Sequence, residues 1–328
     1  MNTTIAHLAE AIDSHDNFII TAHHNPDGDA LGAMATMGYI LQHRNKNYVL
    51  YNISGVPKYL EPIPLPSPLY TTLSSLPEGF TPESCIVLDV SDPRRIGEEL
   101  YEALPSLYSV NIDHHRSCPE FADINYIDSS AAATGCIVAR LAEYYNIPLT
   151  TPLSECLYLS ITEDTGNFRN NNTDEESLRF ASTIVGNGLS VSDFIHRYQN
   201  QWSLSKMKLW GYLLSSFKQY YDGKVLISKV PLVLLDEYNC IPEDIDGVNS
   251  FLMRISGTAI TISLREVNDT RYHGVKASLR SYGLDLIPLV HHFGGGGHKS
   301  AAGVFFPNAT LEEVESKLCN AIAELHLI

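Results

Sequence analysis

His23, Asp27 and Asp29 stand within seven residues of one another in HHNPDGDALG (23–32), directly after the apolar run FIITA (18–22). Asp89 lies near the end of CIVLDV (85–90), Asp113, His114 and His115 follow YSVNI, and Asp164 sits in LSITEDTGNFR (159–169). Carboxylates gathered in one place raise one another's pKa values, and burial penalises each charge. A divalent cation converts that repulsion into coordination. Oxygen donors with a few imidazole nitrogens suit Mn²⁺ or Mg²⁺, and the thiolates that structural zinc favours are absent from these motifs. Several acids could hold two cations, and two metals about 3.5–4 Å apart can clamp a phosphoryl group and lower the pKa of water. Singly, each residue has a plainer reading: Asp27 and Asp29 as a turn and helix cap, Asp89 and Asp113 as strand-end caps, His23 as a core histidine. Their joint recurrence at the ends of apolar runs or helices is what argues for chemistry.

The elements that must position these groups are legible in the apolar pattern. FIITA, NYVLYN (47–52), CIVLDV and YSVNID (108–113) read as strands, with DALGAMATMGYILQHRN, AATGCIVARLAEYY and LSECLYLSIT as helices between or after them. Such alternation predicts βαβ units and a parallel sheet, whose ligands bind outside the carboxyl ends of the strands. Residues 56–82 contain seven prolines and read as an irregular surface excursion. The fold class expected is α/β: a parallel-sheet domain over 1–185, linker helices over 186–215, and a smaller mixed-sheet domain over 216–328. Within the last, KVLISKV, TAITISLREV and GVKASLRS read as strands before a C-terminal helix.

Composition limits the partners. The net charge of −16 argues against gripping a long duplex, which requires many Lys and Arg. No stretch of about 18 apolar residues is present, so no spanning helix is expected, and MNTTIAHLAEAIDSHDNF reads as a domain helix and not a signal peptide. Six cysteines without a CxxC pair predict reduced thiols and a cytoplasmic setting. Residues 251–303 run against the overall charge, with six basic residues against three acidic ones (Glu266, Asp269, Asp285). Within them FGGGGHKSAAG (293–303) offers backbone N–H groups for close approach of a phosphate or sugar, His298 and Lys299 add donors, and Arg280 offers a bidentate phosphate contact.

Taken in order, PDGDALG, LDVSD, DHH and EDTGNF resemble the four motifs of the DHH phosphoesterases, and LRS followed by GGGGHKSAAG resembles the DHHA1 domain attached to many of them. The whole is most similar to the branch that degrades short oligoribonucleotides and removes the 3′-phosphate of adenosine 3′,5′-bisphosphate (pAp). The resemblance implies His23, Asp27 and Asp89 on one cation and Asp29, Asp89, His114 and Asp164 on a second, with Asp89 bridging. It implies Mn²⁺ as the metal, with Mg²⁺ or Co²⁺ as alternatives. His115 would face the substrate as a proton donor or phosphate contact, Asp113 would orient the histidines, and Arg280, Ser281, Gly295, Gly296, Gly297 and His298 would hold the nucleotide. Ala33 departs from the pattern, standing where many members carry Ser; a hydroxyl near the helix start is lost, but no metal ligand. The substrate expected is short single-stranded RNA or a nucleoside bisphosphate, with no membrane partner and homodimerisation left open. Rival readings are a linear or cyclic dinucleotide phosphodiesterase (pApA, pGpG, cyclic di-AMP) and a nucleotide sensor without turnover.

Overall fold

The computed structural model describes residues 3–268 and 272–328; Asp269 and Arg271 of the charge count lie outside the described residues. Two compact units emerge, Met1–Gln201 and Trp202–Ile328.

The first unit runs α1 (Ile5–Asp13), β1 (Phe18–Ala22), α2 (Gly28–His43), β2 (Tyr48–Tyr51), β3 (Leu69–Tyr70), β4 (Ser84–Leu88), α3 (Glu98–Ala103), β5 (Tyr108–Asp113), β6 (Ile124–Ile127), α4 (Thr134–Tyr144), α5 (Leu153–Asp164), α6 (Glu175–Gly186) and α7 (Val191–Tyr198). All six strands are parallel, in the order β3-β2-β1-β4-β5-β6. Alternate residues of the near-continuous apolar strands bury on opposite faces. Phe18, Ile20, Ile86 and Leu88 join the large core with α1, α2, α4 and α5, while Ile19, Cys85 and Val87 join Ile96, Leu100 and Leu104 on the other side. Strand order reverses between β1 and β4, and the crevice beyond their carboxyl ends is where an open parallel sheet binds ligands.

The proline-rich excursion is more ordered than its composition predicts. Leu69 and Tyr70 add a short edge strand beside β2, and Leu60 and Ile63 are buried in the core. Two residues suffice there because a parallel edge strand needs only one side paired, leaving prolines for the flanks.

The second unit runs α8 (Leu204–Ser216), β7 (Lys218–Tyr220), β8 (Val225–Val230), α9 (Leu232–Tyr238), α10 (Val248–Leu252), β9 (Ile260–Asn268), β10 (His273–Ser281), α11 (Ile287–His292), β11 (Gly296–His298), β12 (Ala301–Pro307) and α12 (Leu311–Glu324). Its mixed sheet has the order β11-β12-β10-β9-β8-β7, with β8–β9 the parallel pair. One face packs on α11 and α12 through Ile260, Ile262, Leu264, Val275, Ala277 and Leu279. Across β8 the other face is covered by α8, α9 and α10. The helices expected between the domains are shared out. Phe194 and Tyr198 of α7 bury in the first core, whereas Leu209, Trp210 and Leu213 of α8 bury in the second unit.

Candidate metal centre and anion cavity

Residues leaving β1, β4 and β5 meet the end of α5 at the carboxyl edge of the first sheet. His23 follows β1, Asp89 follows β4, His114 and His115 follow β5, and Asp164 ends α5. Asp27 serves two purposes at once: its Oδ1 caps α2 by accepting from the Ala30 N–H at 3.0 Å, and its Oδ2 lies 3.8 Å from His23 Nε2. The plain helix-cap reading therefore holds for this residue, and its second carboxylate oxygen is left facing His23.

Asp89 divides the centre. Its Oδ2 lies 3.5 Å from His23 Nε2, and its Oδ1 lies 3.7 Å from His114 Nε2 and 3.4 Å from His115 Nδ1. On the second side His114 Nε2 also approaches Asp164 Oδ2 at 3.0 Å and Asp29 Oδ2 at 3.8 Å. Two groups of donor atoms thus form, His23–Asp27–Asp89 and Asp29–His114–Asp164, each close enough to share an ion, with Asp89 also grouping with the histidine pair. The backbone of Asp89 is left-handed, φ 58°, a conformation costly for a residue with a Cβ. That turn carries its carboxylate off the strand and between the two histidine sets.

Ring orientation fits cation binding. Nδ1 of His23 is 2.9 Å from the His24 carbonyl and Nδ1 of His114 is 3.3 Å from the Ala131 carbonyl, so in each ring Nδ1 carries the hydrogen and Nε2 faces the acids. Of the two histidines Asp113 holds His115: its Oδ1 accepts from the ring Nδ1 at 2.7 Å and from the His115 N–H at 2.9 Å. His114 takes its orientation from a backbone carbonyl, which no side-chain pattern announces. Without an ion the electrostatics are strained. Desolvation, then the Asp164 and Asp89 charges, push the Asp29 carboxyl well above its usual range. Burial opposes charge on His114, but the hydrogen bond to Asp164 and the surrounding carboxylates outweigh it, lifting that ring to about 10. The oxygen and imidazole donors, with no thiolate among them, match a hard or borderline divalent ion.

A supporting set went unnoticed in the sequence. The N–H groups of Thr134 and Gly135, at the start of α4, donate to Asp29 Oδ2 and Oδ1 at 2.8 and 3.1 Å. Ser160 Oγ donates to Asp29 Oδ1 at 2.5 Å, and Thr134 Oγ1 donates to Asp89 Oδ1 at 3.1 Å. Ser160 is wedged between glycines. A Cβ on Gly32 would come within 2.9 Å of the Ser160 Cβ, and one on Gly135 within 2.7 Å of it. Backbone donors have no residue signature; the sole hint was a hydroxyl and a glycine opening the helix in AATGC. Phe168 packs against the core beside Tyr158, ring centroids 6.3 Å apart.

In the second unit a cavity of about 430 Å³ opens on the sheet face that α8–α10 leave uncovered, and Arg280, Gly296 and Gly297 line it. Three other expected residues do not. Ser281 turns inward and its hydroxyl donates to the Leu284 carbonyl at 2.7 Å; Gly295 lies so close to β12 that a Cβ would meet the Gly303 carbonyl at 2.4 Å; His298 is exposed beyond the cavity. Arg265 and Lys276, two of the six basic residues counted in 251–303, line it, as do Ser263 and Asn249, which the sequence did not mark.

Comparison with known proteins agrees with this layout. The DHH family, N-terminal domain, matches residues 17–161, and the DHHA1 domain matches 222–326. The bifunctional oligoribonuclease and PAP phosphatase NrnA of Thermus thermophilus is 29% identical over 306 residues, 93% of this chain and 89% of that protein. The protein of the same name from Bacillus subtilis is 26% identical over 302 residues, 90% and 91% of the two chains. An exopolyphosphatase-related protein from Bacteroides fragilis superposes with a TM-score of 0.88 at 25% identity, over 98% of this chain and 95% of its own. No helix among the described residues is long and apolar enough to cross a membrane. With both domain matches in chain order, and an acid-and-imidazole centre at the switch point of the first sheet, the chain belongs to the DHH family of phosphoesterases, with a DHHA1 domain as its second unit.

Proposed function

We propose that the protein is a metal-dependent phosphoesterase that hydrolyses short oligoribonucleotides to mononucleotides and removes the 3′-phosphate of pAp. The observation that carries this is Asp89, whose two carboxylate oxygens face separate histidine-and-acid groups. Full-length similarity to proteins named for both activities supports the choice of substrate.

In this reading His23, Asp27 and Asp89 hold one divalent cation, and Asp29, Asp89, His114 and Asp164 hold the other, Mn²⁺ being the preferred ion. When bound, such ions make water nucleophilic near neutral pH and neutralise charge on a phosphoryl group. The chain's own residues do the rest. His115, anchored through Nδ1 by Asp113 and a third exposed, presents its other ring nitrogen to the departing oxygen as proton donor. Asp113 keeps that ring from rotating. Arg280 and the backbone N–H groups of Gly296 and Gly297 fix the nucleotide in the second unit, Arg280 supplying positive charge in a chain that is acidic overall.

The test is a substrate panel under Mn²⁺: pAp, pGpG, a short linear RNA and cyclic di-AMP. Hydrolysis of pAp and linear RNA ahead of the cyclic dinucleotide is expected. Preference for cyclic di-AMP would overturn the reading in favour of a cyclic dinucleotide phosphodiesterase, and binding without turnover would leave a sensor.

Thr134 gives a narrower test of the supporting set. Thr134→Val keeps the backbone donor to Asp29 but removes the hydroxyl from Asp89, so Mn²⁺ affinity is expected to fall about 10–100-fold, the usual cost of losing such a partner. Thr134→Ser should restore it. Calorimetric titration of Mn²⁺ reads the change directly; equal affinity in parent and Val variant would remove Thr134 from the site.

A further inference from the structure

The cavity of the second unit has a regular floor. Ser263 of β9, Ser278 of β10, Gly303 of β12 and Gly296 of β11 stand directly opposite one another, strand to strand, forming one transverse row of the smallest side chains in the sheet. On one side of that row, two residues along, lies Arg280. On the other side, also two residues along, Lys276 and Arg265 face each other as a cross-strand pair. Residues two apart in a strand share a face, so all three cations flank the same trough, and four residues separate its two ends along β10, about 13 Å.

Like charges directly opposite in a sheet destabilise it. Neither Lys276 nor Arg265, nor Arg280, forms an ion pair among the described residues. Two acids, Glu243 and Asp246, line the same cavity; burial, first, and Glu243 push the Asp246 carboxyl up, while Lys276, Lys206 and Arg265 oppose the shift. Two further atoms are without hydrogen-bond partners among the described residues. Asn249 Oδ1 and Ser263 Oγ are buried, their residues 9% and 7% exposed, and both residues line the cavity. The Asn249 amide is fixed, its Nδ2 donating to the Ser278 carbonyl at 2.8 Å. Buried polar atoms are normally satisfied, so these two await a ligand group or water.

We propose that Arg265 and Lys276 form a second anion seat, so that the trough holds one nucleotide unit between two consecutive phosphates of a short oligonucleotide. One phosphate meets Arg280 and the glycine strand. The next meets Arg265 and Lys276, whose mutual repulsion it relieves. The ribose or base between them lies over the row of small residues, with Asn249 Oδ1, Ser263 Oγ and the Asp246 carboxylate accepting from its O–H or N–H groups. The inference rests on the proposed oligoribonuclease reading for its ligand, and extends it by assigning a seat that pAp leaves empty: the 3′-phosphate of pAp is the group hydrolysed, so it has one phosphate to spare, whereas a trinucleotide has two besides the scissile one.

The experiment uses the full-length protein and the double variant Arg265→Gln/Lys276→Gln. With Mn²⁺ present, kcat/KM is measured for a 5′-phosphorylated trinucleotide and for pAp. The ratio of the two is expected to fall about tenfold or more in the variant, as befits charge-assisted phosphate contacts. In EDTA, anisotropy of a fluorescent 5′-phosphorylated trinucleotide gives Kd against salt. The slope of log K on log salt should flatten by about 0.7 for each cation removed. A thermal melt supplies the folding control, since removing the opposed pair should not lower Tm. An unchanged ratio with unchanged binding overturns the second seat while leaving the activity reading standing. An equal loss on both substrates also overturns it, in favour of one diffuse positive field. If the parent cleaves neither substrate but the variant loses trinucleotide affinity and salt slope, the seat stands and the activity reading falls.

Discussion

Asp89→Asn is expected to lower kcat on a short RNA by about a thousandfold or more, at least the scale of losing a preorganised electrostatic group at a reacting centre. The side chain keeps its shape, and its remaining oxygen can still accept from the Thr134 hydroxyl. What changes is charge and symmetry: one oxygen becomes an amide nitrogen that repels a cation, so one of the two donor groups loses its shared acid. The left-handed backbone at residue 89 tolerates Asn at least as well as Asp, so the fold should survive. Circular dichroism matching the parent alongside lost turnover fits this account. Near-parental turnover in a folded Asn variant would refute the shared role of Asp89.

Metal removal should have the second large effect. Asp29 and Asp89 are almost wholly buried, and repulsion between them and Asp164 is a cost that a bound cation relieves. An ion that binds the folded chain and not the unfolded one stabilises it by about 2.7 kcal/mol at a hundredfold excess over Kd. For a unit of this size that corresponds to a rise in Tm of about 5–10 °C. Chelation should therefore abolish hydrolysis and lower the melting temperature of the first unit, and Mn²⁺ added back should restore both. Undiminished turnover in protein shown by elemental analysis to be metal-free would defeat the metal-dependent reading.

Much of the first unit could be read before any coordinates. β1 and β4 are near-continuous apolar runs, the mark of strands buried on both faces, whereas β5 (YSVNID) alternates Tyr, Val and Ile with Ser, Asn and Asp and is nonetheless buried on both; the charged residues of all three fall at or just beyond their carboxyl ends. Hence the six acid and imidazole positions could be named together. β3 and β6 escaped because they are two and four half-buried residues long, too short for any periodicity. The grip of α4 on Asp29 escaped for a different reason, since main-chain N–H groups look the same in every residue. In the second unit the glycine run drew notice, but the cavity depends on cross-strand register. Register pairs Lys276 with Arg265 and Ser278 with Ser263, and it turns the Ser281 hydroxyl inward; none of these is a property of a local segment.

The contact of Ser160 with Gly32 and Gly135 restricts how this corner can vary. Enlarging either glycine drives a methyl group into Ser160 or, at Gly32, into the Cys156 carbonyl at 2.5 Å. Shrinking residue 160 to glycine would make room beside residue 135, but the hydroxyl that Asp29 accepts would go with it. No single or paired exchange here preserves both packing and the carboxylate's donor. A saturation library selected for function should therefore return these three positions nearly unchanged, while solvent-facing neighbours on the same helices diversify freely.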